Sequence, residues 1–127
     1  YDMSGGAWEY VAGYVNNGHG NLTNYGSSLV NGDAKTKNVY SKASSDSYEN
    51  NYNANSSKYG DAVYETSTNG SGSTSWYGDY SNFPYTSVPF FLRGGYYSNG
   101  TVAGVFDFVN GGGSGSNYSF RPVLVAL

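Results

Sequence analysis

Three short runs hold the densest apolar residues of this chain, and any fold has to bring them together. They are Tyr1-Asp2-Met3-Ser4-Gly5-Gly6-Ala7-Trp8-Glu9-Tyr10, Phe91-Leu92-Arg93-Gly94-Gly95-Tyr96 and Ser119-Phe120-Arg121-Pro122-Val123-Leu124. Both arginines, Arg93 and Arg121, lie within them. The intervening tracts are mostly Tyr, Asn, Ser and Gly. The distribution predicts a small framework built from the two ends of the chain, with the middle tract left as a polar and aromatic loop surface. Such an architecture suits binding better than catalysis.

With 127 residues the expectation is one domain spanning residues 1–127, large enough for one modest core. Only 12% of residues are charged and the net charge is -3. No basic stripe marks a nucleic-acid interface. There are no cysteines, which excludes disulfides, zinc–thiolate sites and thiol chemistry. Nineteen Gly and fifteen Tyr, with many Ser and Asn, match recognition loops, where Tyr offers a large rigid contact area at low entropic cost. The composition predicts an extracellular or cell-surface protein. No segment approaches the ~18 apolar residues of a membrane span, so direct membrane insertion is not expected. No signal peptide is visible, and an export element is expected to have been removed or to lie outside this chain.

Residues 7–15 alternate as a strand, with Trp8, Tyr10 and Ala12 on one face. Residues 16–38 are turn-rich, with Leu29 and Val30 as the apolar anchors. A short helix is predicted around Tyr40–Tyr52, against the backbone competition of its Ser and Asn side chains. Residues 60–66 read as an ordered piece beneath the loops, 67–75 as a flexible surface loop. Strands are expected at 90–93, 102–109 and 119–127, the last a nearly continuous apolar run. Arg93 and Arg121 need buried partners, for which Glu9, Asp2 and Asp107 are the candidates.

The three runs, in this order, resemble the "Y-D-M-S-G-N-V-W-E-W", "L-R-G-G-S-W" and "G-F-R-V-V" motifs of the formylglycine-generating enzyme/sulfatase-modifying-factor family. The resemblance implies an α+β, β-dominated, C-type-lectin-like fold: a small twisted antiparallel sheet, few short helices and long irregular loops. The family's catalytic cysteines are absent here, and His19 is the single histidine, so neither the cysteine chemistry nor the iron-binding histidine cluster carries over. Calcium is the one cofactor the resemblance raises, through Glu9. The family's Asn is Gly6 in this chain, which removes an oxygen ligand from an ion that takes six to eight, and no cofactor is assigned. Family members carry a strand and helices ahead of the first motif. This chain is therefore expected to be a processed half, a crop or a minimal version, its closing strand covered by another chain.

A narrower resemblance, through Tyr1–Val11, Gly60–Thr66 and Phe91–Leu124, is to surface proteins of gut Firmicutes, many with a pilin-like N-terminal helix. Related lectin-like domains include the variable proteins of diversity-generating retroelements, whose binding residues precede the closing motif. This implies binding positions at Tyr96, Tyr97, Ser98, Asn99, Thr101, Asp107, Asn110, Asn117 and Tyr118. The residues themselves add a second set. Trp76, Tyr77 and Tyr80 sit among Ser, Gly and Asp and read either as core or as a platform for a sugar ring or a protein; Phe83 reads as core. Tyr96 and Tyr97 are adjacent, so at most one can face the core.

His19 lacks a partner for acid–base work and reads as a loop residue. Asp61 and Glu65, four apart, read as a capping or surface pair. Asn21, Asn55, Asn69, Asn99 and Asn117 lie in Asn-x-Ser/Thr sequences and would be surface acceptors in a glycosylating host. The expected function is non-enzymatic recognition or adhesion at the cell surface, with a protein or carbohydrate ligand and no nucleic acid. The alternative is a structural subunit of a pilin-like extracellular filament, a homo-oligomer with little ligand binding of its own.

Overall fold

Three consecutive side chains, Phe90, Phe91 and Leu92, feed three separate apolar clusters, and the sheet is arranged around the strand that carries them. The computed structural model describes residues 6–121. The central strands are β1 (Trp8–Asn16) and β5 (Phe90–Arg93), paired antiparallel with Glu9 opposite Arg93 and Tyr14 opposite Phe90. Between these points Val11, Ala12 and Gly13 face Phe91 alone, a bulge that ends the simple alternation expected for residues 7–15.

The other edge of β1 is shared by two parallel strands. β7 (Tyr118–Phe120) pairs with Trp8–Tyr10, and β2 (Asn38–Ser41) pairs with Gly13–Asn16. Outward from β5 come β6 (Phe108–Gly111), β4 (Ser81–Asn82) and β3 (Ser71–Gly72). Among the described residues the sheet has seven strands, and it is mixed rather than purely antiparallel. The fold is a small α+β, β-dominated domain with few helices.

Because strand side chains alternate in direction, Phe90 and Leu92 face one way and Phe91 the other. Phe91 joins Val15, Tyr40, Tyr52, Val63, Phe83 and Phe108, the largest cluster. Phe83 sits at its centre, edge-on to Tyr40 at 5.3 Å and to Phe91 at 5.1 Å. Such contacts contribute about 0.5–1.5 kcal/mol each beyond area burial. Leu92 packs with Trp8 and Val109, Phe90 with Tyr14 and Leu22. Four of the seven residues in the largest cluster (Tyr40, Tyr52, Val63 and Phe83) come from the middle tract. The division into a terminal framework and a free middle is thus overturned.

The helices are short. α1 (Gly20–Asn24) and α2 (Ser27–Asn31) occupy the tract read as turns. Leu22 is its buried anchor, whereas Leu29 and Val30 are half-buried. His19 caps α1, its Nδ1 accepting from the Asn21 amide at 3.1 Å. The helix expected at Tyr40–Tyr52 is α3 (Tyr48–Ala54), because Ser47 supplies the cap and Tyr40 lies on β2. The strand expected at 102–109 starts only at Phe108; Gly100–Val102 is a 3₁₀ turn. The closing strand is seen at Tyr118–Phe120, and residues 122–127, with Asp2, lie outside the described residues. Among the described residues no helix is long and apolar enough to cross a membrane.

The tract 67–75, expected to be flexible, is tied down. Ser67 bridges to Ser75, and Asn69 Oδ1 accepts from the Ser71 amide and the Thr74 hydroxyl at 3.0 and 2.9 Å. Asparagine does the same elsewhere. The fully buried Asn51 accepts from the Ala43 amide at 2.8 Å and donates to Asp46 Oδ1 and the Pro84 carbonyl at 2.7 and 3.1 Å. Asn55, read as a surface acceptor, is buried and donates to the Ser41 and Asn51 carbonyls. Replacing Asn51 with Ala strands these groups, and denaturant titration is expected to show a loss of ~2 kcal/mol or more. The exposed Asn53→Ala should cost under ~1 kcal/mol.

Candidate functional site

Among the described residues the most exposed aromatic side chain sits on a left-handed backbone. Tyr77 is 90% exposed and has φ 63° and ψ 13°, the left-handed region that costs a non-glycine residue about 1 kcal/mol. It belongs to the tight turn Trp76–Gly78, which is pinned from both sides: the Trp76 amide donates to the Thr66 carbonyl at 2.8 Å, and the Ser75 amide to the Asp79 carbonyl at 3.2 Å. Trp76 beside it is 56% exposed.

A second loop completes the surface. Phe106 stacks on Tyr77 with centroids 5.9 Å apart and planes at 22°, and meets Trp76 edge-on at 5.2 Å. The exposed Val105 flanks it. The buried Asp79 carboxylate holds the two loops together by accepting from the Phe106 amide at 2.9 Å. A Cβ at Gly104 would come within 2.0 Å of Asp79 Oδ2, so glycine is needed where the second loop passes over the carboxylate. The Tyr80 amide donates to the Val102 carbonyl and the Phe108 amide to the Tyr80 carbonyl, which fixes the loops on β4 and β6. The product is a fixed aromatic platform of Trp76, Tyr77 and Phe106. Phe106 was missed in the sequence because residues 102–109 read as a strand.

The candidate residues divide by position. Tyr80 is half-buried against the Trp8–Leu92–Val109 cluster, so it supports the platform from behind. Tyr96 packs on Trp8 at 6.1 Å while Tyr97 is 82% exposed, the split expected of adjacent residues. Gly94 and Gly95 take φ of 88° and 71° to turn the chain there. Tyr96, Tyr97 and Asn117 line a groove of about 420 Å³ with Gly6, Ala7 and Ser116. Ser98 and Thr101 are exposed. Asn99 Oδ1 accepts from the Tyr96 amide at 2.7 Å and Asn110 donates to the Phe83 carbonyl at 3.2 Å, so both brace the fold. Tyr118 lies on β7 and packs edge-on to Tyr10 at 5.5 Å.

Asp107 is not at the surface. It is 0% exposed, and neither carboxylate oxygen has a hydrogen-bond partner. Burial, and next the negative charge of Asp79, push its carboxyl up to about 8 against the opposing pull of Arg93. Arg93 lies over the Phe108 ring and donates to the Asp61 carbonyl at 2.5 Å; burial lowers its guanidinium, and the charges of Asp61 and then Asp107 resist this. Glu9, a candidate partner for either arginine, pairs with Arg121 at 2.6 Å. Asp61 and Glu65 do not share a helical face; Glu65 accepts from the Gly60 amide.

Among the described residues no three His, Asp or Glu side chains gather as metal ligands, and His19 serves as a helix cap. No family model matches the chain, and neither a curated protein nor a solved structure shows significant similarity to it.

An acid whose folded pKa is raised keeps its proton in the native state after the unfolded chain has lost it. Its contribution to stability is full below about pH 4 and is lost as pH rises toward 8. Melting temperatures are expected to fall between pH 5 and 8 and then level. Asp107→Asn should flatten that slope, and an unchanged slope would exclude Asp107 as its source.

Proposed function

We propose that this chain is a non-enzymatic recognition domain that acts outside the cell and grips a glycan or protein on the Trp76–Tyr77–Phe106 platform. The observation that carries the reading is Tyr77. A ring held almost wholly in solvent, on a backbone that opposes folding, is maintained by two clamped loops and contributes little to the core. Strain of this kind collects at binding and catalytic sites. Flat aromatic faces with Ser, Gly and Asp around them suit the apolar face of a sugar ring or an extended peptide, and rigid aromatic anchors lose little entropy on binding. The groove at Tyr97 and Asn117 gives a ligand a second contact. The low charge and Tyr/Asn/Ser-rich loops support the extracellular assignment. The motif resemblance, together with a small β-dominated sheet and long ordered loops, supports a C-type-lectin-like fold of the kind displayed on pilin-like surface structures.

A glycan and peptide array with the purified chain should give saturable binding. Trp76→Ala should weaken it tenfold or more, ~1.4 kcal/mol, with an unchanged melting temperature. Tyr77→Gly separates site from scaffold. Relief of the left-handed strain should raise stability by about 1 kcal/mol while binding falls. Binding that survives both substitutions would remove the platform from the function.

The second reading, a filament subunit, draws on a different surface. Phe120 is 75% exposed beside Val11 and Tyr25, and these line an apolar cavity of about 570 Å³ with Tyr10, Leu29 and Phe90. Exposed apolar patches of this sort mark association surfaces. Under that reading, light scattering should show concentration-dependent assembly abolished by Phe120→Ser. A monomer at all concentrations would exclude it.

A further inference from the structure

We infer that the break in strand pairing along β1 forms a second binding site, for a small acid that also carries hydrogen-bond donors, of the sugar-acid class. β7 leaves β1 at Tyr10 and β2 joins it at Gly13, so among the described residues Val11 and Ala12 have no strand partner on that edge. The gap opens into a cavity of about 380 Å³ that shares no lining residue with the aromatic platform. Cavities of this size accept small molecules, and bulges and register breaks are enriched beside such sites.

The charge at the gap is unlike that of the rest of the molecule. The chain has six Lys and Arg and a net charge of -3, yet Lys35, Lys37 and Arg93 all line this one cavity. A fourth cation, Lys58, lies 5.2 Å from the ring of Tyr40, which also lines it. Lys37 is held in place by donating to the Leu29 and Val30 carbonyls at the end of α2. Lys35 is exposed, and its backbone amide, not its ammonium, is engaged by Asp33 at 2.9 Å. The single carboxylate in the lining is Asp61, already faced by Arg93. A net excess of cations selects an anionic group on the ligand.

Two lining residues specify the remainder. Tyr40 is 1% exposed and its hydroxyl has no hydrogen-bond partner among the described residues; Asp61 Oδ1 likewise has none. An unpaired buried acceptor is unfavourable, and a ligand hydroxyl reaching Asp61 would offset that. Val63 and Phe91 supply an apolar wall for a ring. A carboxylate near Lys35, hydroxyls toward Asp61 and Tyr40, and a carbon frame against Phe91 describe a hexuronate better than a neutral sugar or an inorganic anion.

The probe is D-glucuronate, titrated into the ¹⁵N-labelled chain, with D-glucose and inorganic phosphate as comparisons. Saturable amide shifts are expected at Val11–Gly13, Lys35–Asn38 and Asp61 with glucuronate alone, and added salt should weaken them. Lys35→Glu should reduce affinity about tenfold, and Lys35→Arg should retain it. The site is overturned if those amides do not shift, if glucose or phosphate shifts them equally, or if Lys35→Glu binds as the wild type does. Shifts confined to Trp76, Tyr77 and Phe106 would also overturn it while leaving the platform standing.

Discussion

Everything in this molecule depends on a four-residue strand that is covered on both faces. Phe90 and Leu92 hold the α1 side and the Trp8 cluster on one face, and Phe91 holds Tyr40, Phe83 and Phe108 on the other. Fully burying side chains of this kind contributes about 1.5–3 kcal/mol each. With no disulfide and only short helices, the three clusters are joined by this strand and by its antiparallel partner β1, which sends Trp8, Tyr14 and Val15 to them. The long loops are ordered because each sends a ring or an aliphatic side chain to this strand: Tyr52 from α3, Val63 from the 60–66 turn, Phe83 from the loop beneath the platform.

Polar side chains act as internal connectors where strand pairing is too short to do so. Asn51 joins Ala43, Asp46 and Pro84, and Asn55 returns to Ser41 at the end of β2. Asp79 joins the platform loops. Behind that joint lies a row of buried charge in which Arg93 is flanked by Asp61 and Asp107, with Asp79 next to Asp107. Burial, and next the charge of Asp79, outweigh the pull of Arg93, and Asp107 holds its proton. The rigidity of the aromatic surface is thereby linked to a protonation state in the interior.

The sequence was most legible where apolar density was high. Trp8, Leu92 and the β5 strand fell where expected, because a run such as Phe-Phe-Leu-Arg has few alternatives to burial. Phe83 was legible as core for the same reason, and the Tyr96/Tyr97 split was expected of adjacent residues, although both lie in the turn after β5 rather than on a strand. What could not be read was the work of the polar residues. Asn51, Asn55, Asn99 and Asn110 look alike in a chain rich in asparagine, and only the tertiary structure makes them braces rather than contact residues. Asp107 was named in the sequence both as a buried partner for an arginine and as a binding position, and its burial under the influence of Arg93 agrees with the first of these. Two of the three platform residues were visible, Trp76 and Tyr77. Phe106 was hidden inside an apolar stretch expected as a strand from residue 102, whereas the strand begins at Phe108.

The edge of β1 is completed by partners from distant parts of the chain, and Ser119 bonds the Trp8 carbonyl across 111 positions. Such a pairing has a temporal consequence. On the ribosome the first strand emerges early and waits with half an edge open, while more than a hundred residues are translated before its parallel neighbour arrives. Topologies dominated by remote contacts assemble slowly, and unpaired edges are where premature association begins. A nascent chain of this design is most vulnerable in the interval before synthesis reaches Tyr118, which makes its biogenesis a matter of shielding as much as of intrinsic stability.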